Sequence, residues 1–514
     1  MKKKNSNTTP AIVDTITKSK KRTRQLKPKH EPGFTIGDIE DIQFRKDEVA
    51  DIRASLLKWY DVNQRDLPWR RINQSDVNDD DEIDSKAYAV WVSEIMLQQT
   101  RVQTVISYFN RWMEKWPTVH HLAQASIEEV NEVWAGLGYY RRARFLLEGA
   151  KMVVEDGGKF PRSVSDLRRV KGIGEYTAGA IASIAFKEAV PVVDGNVIRV
   201  IARLKTISAN PKDIATIKNV WRLAGQLVDS HRPGDFNQAV MELGATLCTP
   251  ISPNCSSCPV SAQCNALLNS KHDPSALVTR YPAKVEKVKQ RHDYSAVTVV
   301  EIFDSEQLTG NTSASGSKFL LVKRPEEGLL AGLWEFPSVS LNGKADLVTR
   351  RRVVDDFLKK SFGLNVHRAS DIVSRDEVGE YVHIFTHIRL KMYIELLVLR
   401  AQDLHRKNDK GLVCYKYVDI KTLATMGLST GVRKVKVSWP FLLDSRRYDD
   451  FAIVVVIDAV AASFKDDNQL PFDLYLGWAI QMQILVFGFI CNCDCSHTGF
   501  GLNKLDCNRS EPVR

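Results

Sequence analysis

Glu94 lies in an apolar stretch, AVWVSEIMLQQT, that would suit a carboxylic acid held away from water. If the stretch is helical, its neighbours one turn away are Val90, Trp91, Leu97 and Gln98. Three of these are apolar and none is basic, so we expect burial to disfavour the charged form and to raise the pKa of the carboxyl group. Such a group suits general-acid chemistry near neutral pH, and an exposed glutamate without a role is the alternative.

Asp194 is a second candidate carboxylate, because it ends an apolar run and precedes Gly195, Asn196 and a predicted helix. At a helix start it could serve as the N-cap, a role worth about 1 kcal/mol. We expect it to stay ionised there, in contrast to Glu94. Two carboxyl groups whose pKa values are pushed apart can act as an acid and as a stabiliser of positive charge.

Four cysteines follow a C-x6-C-x2-C-x5-C spacing that indicates metal ligands. They are Cys248, Cys255, Cys258 and Cys264. In a chain whose first residues do not resemble a secretory signal, cysteines this close favour metal over disulfides. Four thiolates can hold zinc or a four-iron cluster, and a zinc ribbon usually pairs two C-x2-C motifs where this loop has one. We therefore predict one [4Fe-4S] cluster, with zinc as the alternative.

Gly172 and Gly174 form a G-x-G turn between an apolar helix end and a helix of small residues. Glycines let the backbone turn tightly, and the exposed amides with the following helix N-terminus can bind an anion. On DNA the anion would be a backbone phosphate, which positions a protein without reading the base sequence. A plain turn between two helices has the same pattern.

These groups must be positioned by helices, because residues from about 48 to 275 have helical periodicity and few strand-like runs. Ser126 begins a capping box that predicts a helix through Trp134, and helix-breaking glycines follow it. The acidic segment 77–85 is predicted to be an exposed insertion. The sequence thus predicts a bundle of short helices.

The pattern changes after residue 294, where strand-like runs replace the helical period. The runs are SAVTVVEIF, KFLLVKR and YVHIFTHIRLKMYIELLVL. The predicted fold class is therefore multidomain, with an all-α domain followed by an α/β domain. The predicted boundaries are 1–46 for a disordered basic arm, 47–265 for the helical domain, 266–293 for a linker, 294–443 for the α/β domain and 444–514 for an unplaced tail.

Several motifs in the helical region resemble those of one family of DNA repair enzymes. They are Leu67-Pro-Trp-Arg70, SEIMLQQT at residues 93–100, GLGYY at residues 136–140, the G-x-G turn and the cysteine loop. Together they resemble the helix-hairpin-helix DNA glycosylases of the endonuclease III superfamily, and specifically the MutY family of adenine DNA glycosylases, over residues 50–270. The resemblance implies a helix-hairpin-helix glycosylase domain with an iron–sulfur loop.

The resemblance implies a reaction for the two carboxyl groups. Glu94 would protonate a purine ring nitrogen, N7 in the family, so that adenine leaves and the sugar becomes oxocarbenium-like. Asp194 would stabilise that cation, water would complete the step, and Asn196 and Tyr176 would assist around them. Bifunctional relatives carry lysine where this chain has Tyr176, and tyrosine cannot form a Schiff base. We therefore predict a monofunctional glycosylase that leaves an abasic site.

The resemblance also implies contacts with an extruded base and with the duplex. Gln99 and Tyr139 match the family's wedge residues, which fill the gap beside the lesion. The residues that correspond to the adenine pocket and to other DNA contacts are Trp69, Arg70, Leu97, Thr100, Val102 and Glu242, with the turn glycines Gly172 and Gly174. From the sequence alone, Trp69, Leu97 and Tyr139 would be ordinary core residues.

Residues 324–337 resemble the Nudix-like C-terminal domain of the same family. A Nudix hydrolase needs clustered glutamates before a glycine to hold magnesium through phosphates. Lys360 and Ser361 stand before Gly363, where paired glutamates are expected. We therefore expect this domain to recognise a lesion and not to hydrolyse a nucleotide.

A three-residue loop supports the lesion-recognition role. The family reads 8-oxoguanine with a Phe-Ser-His loop, and this chain has Phe385, Thr386 and His387. Threonine keeps the hydroxyl group but adds a methyl group, so we expect recognition with altered geometry. An ordinary hairpin turn is the alternative.

The sequence therefore predicts a DNA glycosylase of base excision repair that removes adenine mispaired with 8-oxoguanine or guanine in double-stranded DNA. Another mismatch glycosylase, such as one that removes thymine, and a catalytically impaired lesion-binding protein are the alternatives. A composition of 44% hydrophobic and 26% charged residues argues against collagen, wholesale disorder and a multispan membrane protein.

The two ends of the chain predict location and assembly. The net charge is +10, and the first thirty residues carry ten Lys and Arg against one acid. The basic run 18–29 predicts nuclear import or a nucleic-acid tether, with a solvated arm as the alternative. We therefore expect a nuclear protein, with an organelle as a further destination.

The uncharged segment 474–491 is near the length of a membrane span, but Gln481 and Gln483 interrupt it. We expect a monomer that does not enter a membrane.

Overall fold

The computed structural model describes residues 39–71, 80–285, 289–304, 317–364, 366, 372–401, 413–429 and 431–433. In chain order the helices are α1 (Lys46–Asn63), α2 (Asp80–Leu97), α3 (Val102–Lys115), α4 (Val119–Ala123), α5 (Ile127–Trp134), α6 (Arg141–Glu155), α7 (Val164–Leu167), α8 (Glu175–Ala185), α9 (Gly195–Leu204), α10 (Ile214–Leu227), α11 (Pro233–Thr246), α12 (Asn265–His272), α13 (Leu347–Phe362) and α14 (Ile420–Thr425). The strands are β1 (Arg291–Asp304), β2 (Lys318–Lys323), β3 (Trp334–Glu335), β4 (Ser338–Leu341), β5 (Ile372–Ile384), β6 (Ile388–Ala401) and β7 (Tyr415–Val418). The predicted fold class, a helical region followed by a region with a sheet, is confirmed.

The chain forms two compact units that are discontinuous in sequence. Of the described residues, the first unit comprises 39–65 and 187–285, and the second comprises those within 66–186 and 289–433. The predicted division into consecutive domains does not follow these boundaries, because α1 packs against α10 and α11, which come much later in the chain. Helix α12 begins at Asn265 and extends to His272, into the segment 266–293 that was predicted to be a linker.

The core of the first unit joins α1 to three later helices. On α1, Ile52, Leu56 and Tyr60 recur every four residues and are buried, as in a helix that packs on one face. They pack with apolar side chains of α9, α10 and α11.

The residues that precede α1 also belong to this core. Phe44 is buried and its amide donates to the side chain of Gln226 at 3.0 Å. Lys205 pairs with the buried carboxylate of Glu48 at 2.7 Å. The predicted disordered arm 1–46 therefore extends too far, since an apolar anchor and a buried ion pair hold the chain from Phe44 onward.

Helix α2 is the centre of the helical part of the second unit. Its residues 87–96 are all buried, as expected of a helix with apolar groups on every side. It packs against α8, whose small residues allow close approach. The described part of the segment 77–85, predicted to be an exposed insertion, forms the start of α2. Asp80 and Asp81 are exposed there, and the residues up to 85 are half-buried. Acidic groups stabilise a helix N-terminus, and Asp80 and Asp84 also pair with Arg162.

A seven-stranded sheet is the main element of the described part of the second unit after residue 289. The strand order is β3-β2-β1-β6-β5, with β4 paired to β1 and β7 paired to β2. β1 and β6 run parallel from the pair Arg291–Ile388 to the pair Asp304–Ala401. β5 and β6 form an antiparallel hairpin, so residues 385–387 form its turn. Helices α13 and α14 contribute to two separate cores of this sheet.

Several predictions for the chain ends lie outside the described residues. These are the predictions for the basic run 18–29, the tail 444–514 and the apolar segment 474–491. Within the described ranges, none of the helices combines the length and the apolar character that crossing a bilayer requires.

Candidate active site

Glu94 lies in the buried part of α2 and is hydrogen-bonded to α8. The side chain is 7% exposed, so the expectation of a carboxyl group held away from bulk water is confirmed. The hydroxyl group of Tyr176, in the first turn of α8, donates to Glu94 Oε2 at 2.7 Å. The close packing of α2 and α8 makes this contact possible. The structure thus brings together two of the four predicted catalytic residues.

Asp194 caps α9 and is held by hydrogen bonds to both carboxylate oxygens. Its Oδ1 accepts from the amide of Val197, and its Oδ2 accepts from Asn196 Nδ2, each at 2.7 Å. Arg199 in turn donates to Asn196 Oδ1 at 2.7 Å and so orients that amide. Asn196 therefore contacts Asp194, as predicted, and the predicted N-cap is confirmed.

The environment of Asp194 is drier than the sequence suggested. Burial raises the pKa of Asp194, while the hydrogen bonds from Val197 and Asn196 and the charge of Arg199 oppose that rise. The expectation that the helix start alone would govern its ionisation omitted this desolvation. The result is a carboxylate that is partly desolvated and held in a fixed orientation.

The two predicted wedge residues share an unusual backbone conformation. Gln99 has φ 53° and Tyr139 has φ 48°, which is the left-handed region that side chains other than glycine rarely adopt. Both side chains are exposed, and Tyr139 retains 47% of its accessible surface. Strained, exposed positions of this kind are often retained at functional sites.

An open cleft of about 1880 Å³ in the second unit collects several predicted DNA contacts. Its lining includes Gln99, Tyr139, Gly172, Gly174 and residues 385–387. The hydroxyl groups of Tyr139 and Thr386 are hydrogen-bonded to each other across it. The cleft therefore connects the wedge, the G-x-G turn and the loop that is predicted to read the lesion.

Only one of the two turn glycines has a backbone conformation that favours glycine. Gly172 has φ +84°, and a Cβ atom there would lie 2.7 Å from Phe145 Cβ. Gly174 precedes α8 with an ordinary φ of −89°, and a Cβ atom there would meet nothing within 4 Å. The turn leads directly into α8, and the amides of a helix's first turn have no acceptor within the helix, which makes a helix N-terminus suited to an anion.

The remaining predicted pocket residues have different environments. Trp69 is buried and packs edge-on against Phe109, with ring centroids 5.4 Å apart. Arg70, Leu97, Thr100 and Val102 are half-buried. Glu242, in the first unit, is 1% exposed and forms an ion pair with Arg65. This ion pair was not apparent from the sequence.

The four cysteines lie on the first unit and influence one another. Cys248, Cys258 and Cys264 pack against its core. Burial raises the pKa of the Cys258 thiol to about 12, and the charges of the other three thiolates contribute to the rise. Arg203, which is 2% exposed, donates to Cys248 Sγ at 3.2 Å.

This donor set suits a thiolate-ligated metal group. The four cysteines are half-buried, and thiolates that lie close together and repel one another are stabilised by a cation, which a metal supplies. In the described ranges, however, His, Cys, Asp and Glu side chains do not gather in a group of three or more that is arranged to hold a metal ion. The structure therefore supports the donor chemistry and does not present a closed metal cage.

Sequence reasoning missed four arginines that organise these groups. They are Arg65, Arg142, Arg199 and Arg203, whose guanidinium groups bind carbonyl, carboxylate, amide or thiol acceptors. Arg142 and Arg203 are buried on helix positions where an apolar residue is expected. Their buried neighbours one turn away, Leu146 and Val200, are the signal that could have identified them.

The chain matches two families. Residues 92–226 match the HhH-GPD superfamily base excision DNA repair protein, and residues 313–436 match the NUDIX domain.

Curated relatives are similar over most of the chain. An adenine DNA glycosylase of Arabidopsis thaliana is 57% identical over 424 residues, covering 78% of this chain and 66% of the relative, just under two thirds of its length. The adenine DNA glycosylase of Mus musculus is 42% identical over 424 residues, covering 76% of this chain and 77% of the relative. A solved structure of a thermostable thymine-DNA glycosylase is 26% identical and covers 43% of this chain and 98% of that chain, with a TM-score of 0.38.

Proposed function

Because the chain belongs to the adenine DNA glycosylase family, whose members are DNA N-glycosylases, we propose that it hydrolyses the N-glycosidic bond of adenine in duplex DNA. The proposed substrate is adenine mispaired with 8-oxoguanine or guanine. Double-stranded DNA is the proposed partner, and the protein acts as a monomer. The basic N-terminal run directs it to the nucleus, and an organelle is a further proposed destination.

The observation that carries the proposal is the hydrogen bond between buried Glu94 and half-buried Tyr176. A general acid needs a proton held in a dry site and aimed in a fixed direction. The 2.7 Å hydrogen bond from Tyr176 fixes the carboxyl group of Glu94 within the buried part of α2. Glu94 then donates its proton to N7 of the extruded adenine. The bond between C1′ and N9 breaks, and its electron pair leaves with the base.

Asp194 stabilises the positive charge that develops on the sugar. Attraction between opposite charges is stronger in a medium of low dielectric constant, and Asp194 is partly desolvated. Asn196 and the amide of Val197 keep its oxygens in place during this step. Water adds to C1′ and leaves an abasic site. Tyr176 cannot form a Schiff base with the sugar, so strand cleavage does not follow.

The preference for 8-oxoguanine rests on the loop 385–387. Thr386 and His387 are exposed at the cleft that also contains Tyr139. Their hydroxyl and imidazole groups can exchange hydrogen bonds with a base whose edge has gained a donor and an acceptor. The same cleft therefore accommodates the wedge beside the lesion and the polar groups that read it.

The four cysteines are proposed to hold one [4Fe-4S] cluster, with Cys248, Cys255, Cys258 and Cys264 as its ligands. When bound, the cluster supplies a structural cross-link for the loop that carries its ligands. The loop carries no evident catalytic base, so its role is structural and it takes no part in bond breaking. A visible absorption spectrum with iron and zinc analysis tests this assignment, and zinc without iron would contradict it.

The function is tested by single-turnover excision on duplexes that contain A:8-oxoguanine, A:G and T:G pairs. We expect release of free adenine from the first two, faster from A:8-oxoguanine, and no release of thymine. Release of thymine would favour another mismatch glycosylase. No base release from any duplex by metal-loaded protein would favour an impaired lesion-binding protein. Strand nicking without added base would contradict the monofunctional assignment.

A further inference from the structure

Arg142 is a buried cation whose partners are mostly backbone carbonyl groups. It lies in the first turn of α6 and is 9% exposed. Its Nη1 donates to the carbonyl groups of Ile95 at 2.9 Å and Met96 at 3.1 Å, and also to that of Gln98. These acceptors form the C-terminal end of α2. One nitrogen of Arg142 therefore anchors the helix that carries Glu94.

The other terminal nitrogen of Arg142 binds a different segment. Nη2 donates to the carbonyl groups of Leu137 at 3.4 Å and Gly138 at 3.3 Å, and to Thr100 Oγ1 at 3.4 Å. The Gly138 carbonyl group also accepts from the indole of Trp134 at 2.8 Å. The planar fork of one guanidinium thus joins the end of α2 to the turn at residues 136–139, which a lysine ammonium could not do with the same geometry.

The carbonyl groups that Arg142 binds directly precede the two wedge residues. Gln98 precedes Gln99, and Gly138 precedes Tyr139. Both wedge residues have a left-handed backbone, which persists only where the surrounding structure holds it. The guanidinium also lies over the ring of Tyr139, 5.2 Å from its centroid. Arg142 therefore contacts the backbone ahead of each wedge and the side chain of one.

We propose that Arg142 is a positioning residue that holds Gln99 and Tyr139 together in the conformation that inserts into the duplex. The inference rests on the proposed function, since it assigns these two residues to base extrusion. Arg142 takes no part in bond breaking. It sets the separation and direction of the two side chains, and it ties them to the helix of the general acid.

Arg142→Lys tests the proposal, because it keeps the positive charge and removes the fork. We expect single-turnover excision of adenine to slow by roughly 10- to 100-fold, as is typical when a small displacement misplaces a reacting group. Fluorescence of 2-aminopurine placed beside the 8-oxoguanine pair should report less unstacking in the variant complex. Arg142→Gln provides a second variant if lysine impairs folding, which thermal unfolding would reveal.

A matched control is available in the first unit. Arg53 also binds the end of a helix through carbonyl groups, donating to Leu227 at 2.9 Å and Gln226 at 3.3 Å. Arg53→Lys removes a similar fork at a helix that carries neither wedge residue. It should leave the excision rate and the 2-aminopurine signal unchanged below its unfolding temperature.

A double-mutant cycle separates positioning from general support of the fold. In a chain that already carries Gln99→Ala and Tyr139→Ala, adding Arg142→Lys should cause little further loss, because the wedge that it would misplace is absent. An additive loss in that background would overturn the proposal, as would an Arg142→Lys rate equal to that of wild type. Wild-type protein is assayed first, and its failure to release adenine would instead contradict the proposed function.

Discussion

Single residues determine how each carboxyl group of the site is held. Glu94 accepts a hydrogen bond from a tyrosine hydroxyl group inside a buried helix, whereas Asp194 accepts from a backbone amide and from Asn196 at a helix start. The first arrangement fixes an acid in a dry site. The second holds a carboxyl group whose pKa is raised by burial, against the lowering effect of the hydrogen bonds from Val197 and Asn196 and of the charge of Arg199. The two carboxyl groups are therefore held in different ways, as the separate roles proposed for them require.

Glu94→Gln should lower the single-turnover rate of adenine excision by about 10²- to 10⁴-fold, which is the usual contribution of a positioned general acid. Glutamine has nearly the same shape and can still accept the hydrogen bond from Tyr176, so folding and duplex binding should be retained. Glu155→Gln, at the exposed end of α6, provides the control. A Glu94→Gln variant as fast as wild type would mean that another group supplies the proton.

Asp194→Asn should abolish most activity while keeping the cap of α9, because asparagine caps a helix about as well as aspartate does. Burial raises the pKa of Asp194 in the folded protein, so ionising this group costs stability as the pH rises through that pKa. Below the pKa that this aspartate has in the unfolded chain, the loss of stability is absent, because the group is protonated in both states. The variant should therefore gain stability relative to wild type as the pH rises from about 4, near the pKa of aspartate in an unfolded chain, to the folded pKa of Asp194, and the difference should then level off.

Thermal unfolding of both proteins across this pH range measures the difference. The quantity to compare is the Tm of Asp194→Asn minus the Tm of wild type at each pH, since other groups titrate equally in both proteins. A difference that falls with rising pH would contradict the direction assigned to the pKa of Asp194.

Individual helices and strands show what the sequence could predict. The capping box at Ser126 and the helix end before Gly136 were predicted correctly, because each depends on neighbouring residues alone. The start of α2 was missed, because acidic residues favour both an exposed loop and the first turn of a helix. The structure shows a helix there, and Arg162, far along the chain, pairs with Asp80 and Asp84 in its first turns.

In the candidate site too, features that depend on neighbouring residues could be predicted, and features that depend on distant residues could not. The types and order of its residues could be predicted from the motifs, but their partners could not. The hydrogen bond between Tyr176 and Glu94 joins residues that are 82 positions apart, and the pair of Arg65 with Glu242 spans 177 positions. Arg142 was missed for a related reason, since its partners are carbonyl groups, which every residue has.

The need for glycine in the G-x-G turn can be tested by substituting alanine at Gly172 and Gly174. Gly172→Ala should destabilise the protein by more than about 1 kcal/mol, because alanine would need a left-handed φ and its Cβ atom would meet Phe145. Gly174→Ala is the matched control, since its φ is ordinary and its surroundings are open. A lower Tm and weaker duplex binding for the first variant are expected. Equal effects of the two variants would mean that the turn relaxes to accommodate a side chain.

At the scale of the whole molecule, the compact units are built from segments that are distant in sequence. The apolar stripe of α1 shows that this helix is buried on one face, but the stripe does not identify its partners. Those partners are α10 and α11, more than 150 residues later. A sequence divided at composition changes yields consecutive domains, so this discontinuous arrangement could not be predicted from local patterns.

The distribution of charge along the whole chain gives the final prediction. The first thirty residues carry ten Lys and Arg against one acid, which accounts for nearly all of the net charge of +10. Deleting residues 1–30 should weaken binding to any duplex, because fewer counterions are released from DNA. The slope of log K against log salt concentration should become shallower by about 0.9 for each phosphate that is no longer neutralised by the arm.

Excision at saturating enzyme should keep its wild-type rate after this deletion, because the arm contributes to encounter and affinity and not to proton transfer. A full-length chain with the ten basic residues replaced by glutamine separates the effect of charge from that of length. Both proteins should show the same shallower salt dependence when binding is titrated at several salt concentrations. An unchanged slope would mean that these charges do not contact DNA, and the import role would then be the better explanation of the basic run.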